Sequence, residues 1–167
     1  NWEIMNGNRK ILSVSKTGTV AAAGTLQEFL DWGTHQRDEE VKPIINAFAF
    51  VEYIDMYCHF LRNFTDHFMP KETKYQLIVG FNIRTGQQFQ LRFTMGFLPK
   101  THPSTLQKSE WDFGEIGIDK LEKPQALAAI IIREIYASGF GYITETPEYL
   151  KKDGNQWIVD EELYKKQ

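Results

Sequence analysis

The stretch from Pro43 to Phe68, PIINAFAFVEYIDMYCHFLRNFTDHF, decides the fold. At roughly 100° per residue, Phe50, Tyr53, Tyr57, Phe60, Leu61, Phe64 and Phe68 gather on one face of a helix. Glu52, Asp55, His59, Arg62, Asn63 and Asp66 gather on the other. Before Glu52 the pattern changes: Ile44, Ile45, Phe48 and Val51 point in every direction, so this half is expected to be enclosed on all sides. Pro43 suits a first helical turn, where its missing N–H costs nothing. A helix over 43–68 that enters the core and emerges along the surface is an element for others to wrap.

Working outward, Met69-Pro70 ends this helix, and an alternating run follows. Tyr75, Leu77, Val79, Phe81 and Ile83 share one face, and Phe89, Leu91, Phe93, Met95 and Phe97 share another, with Arg84-Thr85-Gly86-Gln87 between them. The pattern predicts an antiparallel hairpin over 74–98 with its apolar face on the helix. Upstream, KILSVSKTGTVAAAG predicts a second hairpin over 10–23, and a loop of Lys16 to Gly18 would set Leu12 and Val14 beside Val20 and Ala22. Thr25-x-x-Glu28 is a capping box for a short helix over 26–32. Leu98 to Lys123 shows no clear period and is expected to be a long mobile loop. Pro124 opens a nearly all-apolar helix over 124–138, closed by Ser138-Gly139. Short strands are expected at 140–144 and 155–159, with a helical turn from Thr146-Pro147 between them. The fold class is α+β: antiparallel β-hairpins forming a sheet packed around a long central helix, with a second buried helix. If the hairpins join into one curved sheet, a pocket between sheet and helix would be lined by aromatics.

With 167 residues, the chain fits one domain spanning 1–167. Its Asn start suggests a module of a larger, multidomain polypeptide. A net charge of −3 disfavours a dominant nucleic-acid role, which usually needs a basic excess. The single cysteine, Cys58, precludes an internal disulfide and fits a cytoplasmic setting. No apolar run reaches the roughly 20 residues of a membrane span.

Several constellations carry chemistry on paper. Glu52, Asp55 and His59 share a helical face and could ligate a divalent metal in a hydrolase or nuclease, given ligands from a second element. The plainer account is an exposed face laced with ion pairs. In the expected loop, Glu115, Asp119 and Lys120 match no catalytic spacing, whereas Trp111 would be an exposed contact residue. Cys58 is best explained as a small core residue. Arg84, Arg92, Lys151-Lys152 and Lys165-Lys166 support a second alternative, nucleic-acid binding. Catalytic, cofactor and metal signatures are not assigned: there is no phosphate loop, dinucleotide fingerprint, HExxH or GxSxG. The chain is therefore expected to be a non-catalytic binding, sensory or protein-interaction module. Its partner would be a protein, an apolar small molecule or another domain of the same chain. Contacts are expected at Trp111 and along the ridge of Asp55, His59, Arg62 and Asp66.

Overall fold

The computed structural model describes residues 2–5, 10–15, 19–24, 44–81, 85–93, 100–145 and 147–163. Strands β1 (Trp2–Met5), β2 (Lys10–Val14) and β3 (Val20–Gly24) form an antiparallel meander. The expected 10–23 hairpin is present, with Leu12 opposite Ala22 and Val14 opposite Val20. Ser15 N–H closes it on the Thr19 carbonyl at 2.8 Å. The capping box and the helix over 26–32 lie outside the described residues.

The central helix starts later than its sequence pattern predicts. Ile44–Asn46 is a strand, β4, and helix α1 runs from Ala47 to Phe68. Two consecutive β-branched residues favour the extended state. Asn46 then caps the helix: its Oδ1 accepts from the Phe48 and Ala49 N–H groups at 3.0 and 3.3 Å. The first turns of α1, Ala47 to Val51, are buried all round as expected, and beyond them the buried face is Ile54, Asp55, Cys58, Leu61 and Thr65. It is rotated by roughly 80° from the aromatic face that the sequence picks out, with Leu61 at their shared edge. Tyr53, Tyr57, Phe60 and Phe64 are half-buried and Phe68 is 73% exposed. Helix α3 packs against α1, and the small residues Cys58 and Thr65 are buried on it. Phe60, Phe64 and Phe68 instead stack on one another, with centroids 6.0 and 5.4 Å apart.

Beyond the helix lie β5 (Tyr75–Gly80), β6 (Gln88–Phe93), β7 (Lys100–Thr105) and β8 (Glu110–Ile116). The hairpin expected over 74–98 is corrected here. β5 pairs antiparallel with β8, while β6 pairs antiparallel with β7 and parallel with β4. Tyr75 faces Ile116, Gly80 faces Glu110, Gln88 faces Thr105 and Phe93 faces Lys100. Residues 75–81 with 85–93, and residues 100–116, thus run as the two arms of one long antiparallel ribbon, interrupted midway. At the interruption Phe81 N–H reaches the Ser109 carbonyl, and Leu106 exchanges backbone bonds with Gly86 and Gln87. Gly86 does turn, with φ 86°, but the turn returns the chain to the partner arm that β5 already follows. The segment 98–123 is accordingly no loop: it holds β7, β8 and helix α2 (Ile118–Leu121).

Helix α3 (Pro124–Glu134) has Pro at its start and widens into a π turn over Ile135–Gly139, completing the buried helix expected over 124–138. No strand forms over 140–144. The final hairpin pairs β9 (Leu150–Asp153), where a helical turn was expected, with β10 (Gln156–Val159) around Gly154 at φ 59°. Aromatic rings pack together beside α1 and the ribbon. Phe50 meets Phe81, Tyr136 and Phe140, while Phe93 meets Tyr142 and Tyr149. The fold is α+β.

Candidate functional site

Two places gather chemistry, one at each end of α3. The first is an open cleft of about 580 Å³ whose lining includes Lys108, Trp111, Ile130, Arg133, Tyr136 and Ile143. Its wall is the outer side of α3 and the π turn. The π turn also sets the position of Trp111. Ser138 Oγ bonds the Glu134 carbonyl at 2.8 Å and accepts the Trp111 indole N–H at 2.7 Å. Trp111 is only 1% exposed, so the exposed contact residue expected from the sequence is instead the cleft's floor. Its ring carries the Lys108 ammonium 5.7 Å from the centroid. The Arg133 guanidinium stands 5.2 Å from the Trp157 ring centre. Cations held over aromatic faces keep charge near an apolar surface without burying it. Ile130 and Ile143 are 53% and 83% exposed and both line the cleft.

Tyr142 and Glu148 support the far wall. The Tyr142 hydroxyl donates to Glu148, which also accepts from Lys100 Nζ at 3.0 Å. Burial acts to raise the Glu148 pKa. The bonds from Tyr142, its own backbone and Lys100, with the lysine's charge, outweigh that and lower it. Burial and the bond to this carboxylate push the Tyr142 phenol up. Tyr149, next in the chain, is buried with φ 67°, a left-handed conformation that costs a bulky residue free energy.

The second place is the polar side of α1. The ridge expected over Asp55, His59, Arg62 and Asp66 does not stand free. Asp55 is buried, and His59 Nε2 lies 3.9 Å from Asp55 Oδ1 and 3.5 Å from Glu161 Oε1. Glu161 belongs to a 3-10 turn over Glu161–Leu163 and also accepts from Gln125 Nε2 of α3. Arg62 pairs with Asp66 at 3.4 Å and donates to the Glu122 carbonyl at 2.7 Å, tying α1 to the end of α2. Glu52 stays exposed and outside the cluster. Burial raises the Asp55 pKa to about 6; His59 acts against that and Glu161 adds to it. Cys58 is buried and free, and burial pushes its thiol well up, which leaves an inert core group.

Of the basic residues considered for nucleic acid, Lys151 pairs with Asp160 at 2.9 Å and Lys152 sits over Trp157 at 5.4 Å. Arg92 is half-buried in β6. Arg84, Lys165 and Lys166 lie outside the described residues. No helix among the described residues is long and apolar enough to cross a membrane. The sequence did not single out Glu161, Lys108, Arg133 or Ile143. No family model, curated protein or solved structure matches this chain.

Proposed function

We propose that this chain is a non-catalytic binding module whose cleft takes a small amphipathic molecule. The observation that carries this reading is the cleft itself. Its volume of about 580 Å³ lies within the span of about 300–1,000 Å³ typical of small-molecule sites. Exposed Ile130 and Ile143 line it beside two cations, Lys108 and Arg133, that rest on tryptophan faces. An apolar body would lie along the isoleucines, and an anionic or polar end would meet Lys108 or Arg133. The π turn and the left-handed Tyr149 backbone are irregularities that often accompany function.

A hydrolytic reading finds less support. The carboxylate–imidazole cluster of Asp55, His59 and Glu161 lies outside the cleft, and the carboxylates that do line it, Asp112 and Glu134, have no histidine among the other lining residues. Gln125 and Arg133 are eight positions apart on α3, about 12 Å at 1.5 Å per residue, which separates the two regions.

Titration with anilinonaphthalene sulfonate, an anionic aromatic probe, tests the proposal. Saturable binding at one site per chain is expected, with affinity at least about tenfold lower in Ile143→Asp. Ile143 is exposed, so its replacement should leave the fold intact. Equal binding by both proteins, or none by the wild type, would remove the cleft as the site.

A further inference from the structure

Three side chains from two elements converge between α1 and the 3-10 turn. Asp55 and His59 stand four residues apart on one face of α1, and Glu161 reaches them from the turn. One donor atom from each lies within 4.8 Å of the other two. Asp55 is 5% exposed. Neither its Oδ1 nor His59 Nε2 has a hydrogen-bond partner among the described residues, although both atoms are shielded from solvent. A buried carboxylate oxygen without a donor is costly and calls for an explanation.

The spacing supplies one. Donor atoms about 2.1 Å from a shared tetrahedral cation stand about 3.4 Å from each other. The His59–Glu161 separation of 3.5 Å already matches, while Asp55 Oδ1, 3.9 Å from His59 Nε2 and within 4.8 Å of the Glu161 donor, is brought in by a modest side-chain rotation. We infer that Asp55, His59 and Glu161 bind a divalent first-row transition cation, with Zn²⁺ the expected occupant. The imidazole nitrogen argues against Mg²⁺ and Ca²⁺, which prefer all-oxygen shells. Gln125 Nε2 donates to Glu161 and so orients that carboxylate, as the outer partners of metal ligands commonly do. His59 and Glu161 are each about two-fifths exposed, which leaves the remaining coordination open to water. The cation would join α1 to the 3-10 turn and offset the two carboxylates. This site is independent of the cleft.

The competing explanation is a metal-free triad in which protonated His59 bridges the two carboxylates. Chelator-treated full chain, melted with and without Zn²⁺, Mn²⁺ or Mg²⁺, separates the two. Zn²⁺ at a hundredfold excess over its Kd should raise Tm by roughly 5–10 °C, and calorimetry should give one ion per chain. The rise should vanish in Glu161→Gln and His59→Gln, while Asp55→Asn should melt higher than wild type without metal and fail to respond to Zn²⁺. Glu161 is half-buried at the surface, so its variant reports on binding even if the helix variants fold poorly. No Zn²⁺ response in the wild type, an equal response in Glu161→Gln, or an equal response to Mg²⁺ would overturn the inference.

Discussion

At the scale of single residues, Gly139 shows how tightly the π turn is set against the ribbon. A Cβ there would fall inside the contact radius of Trp111 Cζ2 and 2.8 Å from Cη2, and this ring is fully enclosed. Gly139→Ala should therefore destabilise by about 1–3 kcal/mol, the usual range for overpacking, as read from urea melts. Restoring room with Trp111→Phe in the double variant should recover part of that loss. Glu148 gives a pH-dependent counterpart. Its folded pKa lies below its ordinary value of 4.5, so its contribution is complete above that value and declines as pH falls through the folded one. Melts between roughly pH 3 and pH 6 should show a shallower acid loss for Glu148→Gln than for wild type. Parallel curves would show that the Tyr142–Glu148–Lys100 group adds nothing to stability.

At the scale of elements, the start of α1 and the ribbon are where the sequence could be misjudged. Asn46→Ala should cost about 1 kcal/mol or more, because both N–H groups that it satisfies are buried. Hydrogen exchange should find protected those amides of 100–105 and 110–116 that bond to β6 and β5, Pro103 having none; fast exchange at every one of them would restore the loop that their composition suggests. That composition explains the misjudgement. KTHPST and EWDFGEI lack sustained alternation, since β7 buries only Ser104 and β8 buries only Trp111 and Ile116. β7 takes its register from the preceding strand β6, and β8 takes its register from β5 much earlier in the chain, pairings that local periodicity does not encode. The strands β5 and β6 were legible because Leu77, Phe89, Leu91 and Phe93 alternate inward. Which strand each pairs with was not, because Gly86 suits a reversing turn and a mid-ribbon excursion equally. In α1 the period was plain but the phase was not. Hydrophobicity points Phe60, Phe64 and Phe68 inward, whereas Cys58 and Thr65 are the residues buried there. Half of the cation cluster was visible, as Asp55 and His59 share a helical spacing. Glu161 was hidden by distance: it follows more than a hundred residues later, in a turn whose position depends on the β9–β10 hairpin.

At the scale of the molecule, α1 and the ribbon enclose an aromatic core, and α3 closes it while carrying a different surface at each end. Its first turn meets the carboxylate–imidazole cluster through Gln125, and its last turn and the π turn form the cleft. The central proposal is that this cleft, rather than the Phe60–Phe64–Phe68 stack or the ribbon edge, takes the amphipathic molecule. Chemical-shift mapping of the ¹⁵N-labelled chain during titration with anilinonaphthalene sulfonate tests it most directly. The account predicts that the Trp111 indole N–H and the amides of Ile130, Arg133, Ala137, Ile143 and Thr144 move together and saturate with one constant. Shifts confined to Phe60, Phe64 and Phe68, or scattered without saturation, would contradict it.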